Sequence, residues 1–406
     1  MMPASRRFPW RDIDFLYPVC YYETNQIVPL EREKMKKLDL DIAQFWKDDA
    51  LAHQDNCFSP HAPQAALGIR MSHECVFAEL GVEGHPWDPI DPARQAELNK
   101  RYNDKAEKIV GKRLLPEQYD TVQFPYVKRI GEIFGSRYEY VNHSEWLHRC
   151  AETPEDLEKL LDRVDKLDVR SFILPENWER DTKRIFEETG RRPRPMRHIR
   201  GPVTLACSLM GEENLIFLIL DEPDLAKRFS DTIKRVIIDM CDVLDEEAGV
   251  KPEEKGKYGF SFADDNCCLL NPEMYEFFGY PILRDVFAHF APGENDSRYQ
   301  HSDSAMGHLL PILGRLDLTG VNFGPTVLVP EIRKHLPKAR IDGCLAPFTF
   351  MRNDEAGIIE QVKRDCEAAK ATGRGLNIST AGSINNGSLL SSMRLVMAAI
   401  QNYGRY

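Results

Sequence analysis

YGFSFADDNCCLLNPEMYEFFGYPILRDVFAHFAPGENDSRYQHSDS, residues 258–304, holds one whole structural unit. Tyr258–Ala263 is a short extended run that ends at the polar turn Asp264-Asp265-Asn266. Asn271-Pro272-Glu273 then opens a helix, with a cap residue before proline at the first helical position and an acid in the first turn. Arg298–His301 is the next extended run, and it closes on the polar HSDS. Strand, loop, helix and strand in that order imply parallel strands.

The same unit recurs on both sides. Extended runs fall at Met196–Arg200, Leu316–Asn322, Ala339–Ile341 and Gly375–Ile378, each followed by a turn and a helical pattern. Thr153-Pro154-Glu155-Asp156 caps a helix whose apolar positions are Leu157, Leu160, Leu161 and Val164. Asp221-Glu222-Pro223-Asp224 opens a long amphipathic helix over 224–248. Six such units in about 280 residues suit a closed (β/α)8 TIM barrel. The structural alternative is an open doubly wound sheet. No GxGxxG or GxxxxGK[ST] follows any strand, which weighs against a nucleotide-binding version of it. Residues 1–120 mix proline, aromatic and charged residues with weak periodicity. They are expected to form an N-terminal extension packed on a barrel of residues 121–406.

Composition narrows the classes. The chain has 406 residues, 42% of them hydrophobic and 29% charged, an ordinary globular balance. Its formal net charge of -11 argues against a large nucleic-acid surface. No run of about 18 uncharged apolar residues occurs, so no membrane span is expected. The opening MMPASRRFPW leads into no apolar core, so no secretory signal is expected. Ten cysteines are scattered without a CxxC pair, which suits reduced thiols and a cytoplasmic protein.

In a β/α barrel the chemistry sits at the carboxyl ends of the strands. The polar residues there are His198 and Arg200, then Asp264, Asp265 and Asn266, then His301 and Asp303, then Asn322, Asp342 and Cys344, and last Asn377 and Ser379. A lone carboxylate at a strand end is as often a helix cap as a catalyst. His301-Ser302-Asp303 is the sharpest local signal, because residues i and i+2 of an extended segment project to one side. We take Asp264, His301 and Asp303 as catalytic candidates. The same three are metal-ligand candidates, with Asp264 ranked above Cys344 as the third ligand. RRPRPMRHIR, residues 191–200, carries five arginines, and Arg197, His198 and Arg200 lie nearest the strand. With Asp265 and Asn322 they are the substrate-binding candidates, an arginine holding a carboxylate or phosphate bidentately. His73-Glu74-Cys75 reads as a buried strand with an inert thiol, and Cys267-Cys268 as core or lining.

From about residue 130 onward, the order of motifs resembles the uroporphyrinogen decarboxylase superfamily. The segments are IGEIFGSRYEYV, IRGPVTLACSLMG, LDEPDLAKRFSDTI, FADDNCCLLNPEMYEFFGYPIL, the strand ending in HSDS, DGCLAPF, and NISTAGSINNGSLLSSMRLVMAAIQNYG. The resemblance implies a (β/α)8 barrel and one of two chemistries. One is cofactor-free decarboxylation of a tetrapyrrole. The other is cobalamin-linked methyl transfer, as in the coenzyme M methyltransferases, where an HxC pair and a later cysteine hold zinc. His301 matches the first of those ligands, Asp303 replaces the cysteine, and the later cysteine falls near Ala381. A carboxylate in place of thiolate leaves a harder, more Lewis-acidic ion, suited to an oxygen leaving group. The expectation is a zinc-dependent methyltransferase that moves a methyl group from a small O-methyl donor to cobalamin on a separate corrinoid protein. The alternatives are a decarboxylase of a tetrapyrrole or other acidic substrate, and a non-catalytic tetrapyrrole- or corrinoid-binding protein. A homodimer is compatible with each.

Overall fold

The computed structural model describes residues 38–118 and 122–406. The MMPASRRFPW start and Cys20 lie outside the described residues. Nine strands form: β1 (Ala66–Leu67), β2 (Tyr138–Val141), β3 (Ser144–Leu147), β4 (His198–Arg200), β5 (Phe260–Ala263), β6 (Arg298–Ser302), β7 (Gly320–Phe323), β8 (Arg340–Leu345) and β9 (Leu376–Thr380). All six extended runs read from the sequence are strands. β2 and β3 make a separate antiparallel hairpin. The other seven form one sheet, ordered β1-β9-β8-β7-β6-β5-β4, and every pairing in it is parallel.

That order decides between the two α/β architectures. A doubly wound sheet reverses its strand order at a switch point. Here the order never reverses, and the first strand sits beside the last, as in a sheet that curls round into a barrel. No strand pairing joins β1 to β4 among the described residues. Helices cover the outside. Pro202–Met210, Glu212–Asp221 and Pro223–Ala248 follow β4, and Pro272–Phe278 and Tyr280–Phe290 follow β5. Val329–His335, Glu355–Thr372 and Leu390–Tyr403 follow β7, β8 and β9. The caps read from sequence are in place, with Thr153 Oγ1 accepting from Asp156 N and Asn271 Oδ1 from Met274 N.

The division at residue 120 needs correction for the described residues. β1 belongs to the barrel sheet, hydrogen-bonded in register with Asn377 and Ile378 of β9. Asp49, on the helix Ile42–Ala52, accepts the Leu67 N–H at 2.8 Å and anchors that strand. The helix Pro92–Val110 joins the outer shell, where Arg394 donates to the Ile109 carbonyl at 2.7 Å. A strand of two residues is too short to show periodicity, so the sequence hid it. The strand expected at His73-Glu74-Cys75 is instead a 3-10 turn capped by Ser72, leading into the helix Val76–Leu80.

Among the described residues no single helix is long and apolar enough to cross a membrane. The nine described cysteines are all free.

Candidate functional site

Alternation along β5 sorts its polar end. Phe260 and Phe262 are buried and pack on Phe290 and Phe287 of the covering helix, at ring distances of 5.1 and 5.4 Å. Asp264 has the same parity and points to that layer. It is fully buried, and its Oδ1 accepts the Thr204 N–H at 2.8 Å in the first turn of Pro202–Met210. Gly201 makes room, since a Cβ there would lie 2.1 Å from the Asp264 Cβ. Burial pushes the Asp264 carboxyl up to about 7, against the Thr204 hydrogen bond. Asp264 is therefore a helix cap. Asp264, expected from the sequence as catalyst and third metal ligand, lies outside the cluster that its neighbour Asp265 joins.

Asp265 has the opposite parity, and with His301 and Asp303 it forms a cluster. One ligand atom from each lies within 4.8 Å of the other two. Asp265 Oδ1 sits 3.8 Å from His301 Nε2 and accepts the Asp303 backbone N–H at 2.9 Å. The i, i+2 reading of His301 and Asp303 holds. Burial first, then the charge and hydrogen bond of Asp265, push the Asp303 carboxyl up to about 6, with His301 opposing. Two carboxylates held this close repel, and a shared proton or a cation between them would relieve that repulsion.

Asn322 fixes the imidazole. Its amide nitrogen donates to the carbonyls of Thr380, at 3.0 Å, and Asp342, so its Oδ1 faces the other way. That oxygen accepts from His301 Nδ1 at 2.8 Å and from Gly382 N at 3.1 Å. Nδ1 thus carries a proton, and Nε2 is the ring atom turned toward Asp265. Asn322, read from sequence as a substrate contact, orients the histidine. Cys344, the reserve ligand, is buried. Its backbone N–H donates to Asp365 of the helix Glu355–Thr372, and burial pushes its thiol up. It is not in the cluster.

A cavity of about 660 Å³ lies beside the cluster, lined by Asn322 and Gly382 but not by Asp265, His301 or Asp303 themselves. His198 lines it, hydrogen-bonded through Nδ1 to Ser261 Oγ at 2.8 Å. Burial and then the nearby His301 hold the His198 pKa below its ordinary value, so this imidazole is neutral at pH 7. The lower wall is a closed network. Asp342 accepts from Arg340 at 2.7 and 2.9 Å, from Tyr299 at 2.9 Å and from Asn377 at 2.8 Å. Arg70, just after β1, also lines the cavity and has no hydrogen-bond or ion-pair partner among the described residues.

The other two arginines are corrected. Arg197 makes a buried ion pair with Asp245 at 2.6 Å, which ties β4 to the helix Pro223–Ala248. A guanidinium so engaged is structural. Arg200 donates to Ser208 Oγ at 2.8 Å and does not line the cavity. Sequence reasoning missed Arg70, Ser261, Tyr299 and Arg340. Tyr299 shares the parity of His301, and that signal was available. Arg70 lay in the stretch read as an extension.

A family model described as Uroporphyrinogen decarboxylase (URO-D) matches residues 182–403, more than half of the chain. That span holds β4 to β9 and every member of the cluster. No curated protein matches the chain. Among solved structures, the chain is similar to a methyltransferase from Methanosarcina mazei. The identity is 17%, the TM-score 0.49, and the alignment covers 82% of this chain and 94% of that one.

Proposed function

The chain belongs to the uroporphyrinogen decarboxylase family, and within it we propose a methyltransferase that moves a methyl group from a small oxygen-linked donor to the corrinoid of a separate protein. The observation that carries this reading is the convergence of Asp265, His301 and Asp303 at the ends of β5 and β6. Two carboxylates and one imidazole fit zinc, which takes three protein ligands and an open position in catalytic sites. When bound, zinc would polarise the donor oxygen as a Lewis acid.

The chain's own residues do the rest. Asn322 holds His301 in the tautomer that offers Nε2. Asp265 receives the Asp303 backbone N–H, which fixes the spacing of the two carboxylates. Arg70 offers a free guanidinium to a donor carrying a carboxylate. Neutral His198 can accept a hydrogen bond from the donor. The donor's carbon–oxygen bond would break as its methyl group passes to the corrinoid acceptor on the separate protein, which would supply the electron pair of the new bond. The oxygen keeps the old pair and takes a proton from solvent at the open mouth. We place the protein in the cytoplasm, on its reduced-thiol pattern.

The cationic side of the cavity favours a second reading, decarboxylation of an acidic substrate held by Arg70. One experiment separates the two. Cob(I)alamin is titrated with candidate O-methyl donors in the presence of the zinc-loaded protein. Growth of the methylcobalamin spectrum, lost in His301→Ala, supports methyl transfer. Carbon dioxide release from acidic tetrapyrroles without any methylcobalamin would overturn it.

A further inference from the structure

A second group of metal-type ligands stands apart from the barrel cavity. His85 and Asp88 lie in the loop before the helix Pro92–Val110, and His143 lies at the tip of the β2–β3 hairpin. One ligand atom from each falls within 4.8 Å of the others. His143 Nδ1 is 2.5 Å from Asp88 Oδ1, and the rings of His85 and His143 stack at 4.0 Å with an interplanar angle of 24°. The lone pairs of an imidazole lie in its ring plane, so one of the two stacked rings would have to turn to share an ion with the other.

Asn142 and His143 both have positive φ, at 52° and 61°, in the two-residue hairpin turn. Such turns favour glycine at the second position, and histidine there runs against that preference. The Tyr140 hydroxyl donates to the Trp87 carbonyl, so hairpin and loop are already docked beside the three side chains.

We propose that His85, Asp88 and His143 form a second divalent-cation site, one that takes zinc and clips the hairpin to the loop. The ion would replace the hydrogen now lying between His143 and Asp88. Their nitrogen and oxygen would open to roughly 3.3 Å, the ligand–ligand spacing of a tetrahedral zinc site. The exposed flank leaves a fourth position for water. The clip would close a long loop between residues 88 and 143.

The test uses the full chain without a histidine tag and with His301→Ala, which removes the barrel-mouth cluster from the count. If that cluster binds nothing, the wild-type chain behaves alike and the test is unchanged. After chelation and reloading, the His301→Ala protein should hold zinc and gain thermal stability from it. His143→Asn keeps the left-handed turn, which asparagine tolerates. Added to His301→Ala, it should abolish both the zinc and the thermal shift, with the circular dichroism spectrum preserved. His85→Gln, made the same way, is the second check should the first variant misfold. Zinc bound as tightly in both double variants as in the parent, or no zinc bound by the parent, would overturn the proposal.

Discussion

Asp264 and Asp265 are adjacent and do opposite things. Phe260 and Phe262 mark the helix-facing parity of β5, so Asp264 is carried outward to cap a helix and Asp265 inward to His301. The pairing of His301 with Asp303 was legible, because i and i+2 need only an extended backbone. Choosing between two aspartates in a turn was not, until the aromatic parity is extended one residue past the strand. The predictions at this scale follow. Asp265→Asn should fold normally and lose the cluster's zinc. Asp264→Asn should keep zinc and activity, since the amide oxygen can still accept the Thr204 N–H. Asp264→Ala should cost about 1–2 kcal/mol as a lost cap, read by urea unfolding. Asn322→Ala should weaken zinc binding about 10–100-fold by releasing the His301 tautomer, measured by competition with a chelating dye.

The elements were legible where their signals were long. Thr153 and Asn271 marked helix starts, and the six apolar runs marked strands. β1 was lost because Ala66–Leu67 has no periodicity of its own and is held by partners distant in sequence. The contact between β5 and the helix Pro202–Met210 rests on the absent Cβ of Gly201. Gly201→Ala should destabilise the protein by about 1–3 kcal/mol through overpacking, seen as a lower melting temperature.

The anchor of β1 offers a pH test that involves no member of the cluster. Asp49 holds β1 and also takes His53, 3.5 Å away at Nε2. The hydrogen bonds to Asp49 and then to Cys57 raise the His53 pKa from 6.5 to about 10. A raised histidine stabilises the fold fully below pH 6.5, and that contribution fades as pH rises toward 10. His53→Gln should therefore be less stable than wild type at pH 6, by no more than about 1 kcal/mol because the histidine is 40% exposed. The two proteins should converge near pH 10, and a gap that widened with pH would contradict this.

For the whole molecule, the repetition of strand and helix made the α/β barrel readable, and the strand order excludes the doubly wound alternative. The boundary at residue 120 failed because the barrel takes its first strand from a segment of weak periodicity. The cavity side of the site was harder to read, because its walls come from six strands and the segment after β1, which meet only in the folded sheet. Arg70, Tyr299, Arg340 and Asp342 have no local motif in common. The central claim is that Asp265, His301 and Asp303 hold the ion that serves the reaction. Anomalous X-ray diffraction at the zinc edge, from crystals of zinc-loaded protein, tests it most directly. The account predicts an anomalous peak within ligand distance of His301 Nε2, Asp265 and Asp303. No peak at those residues, or one bound through Asp264 or Cys344, would contradict it.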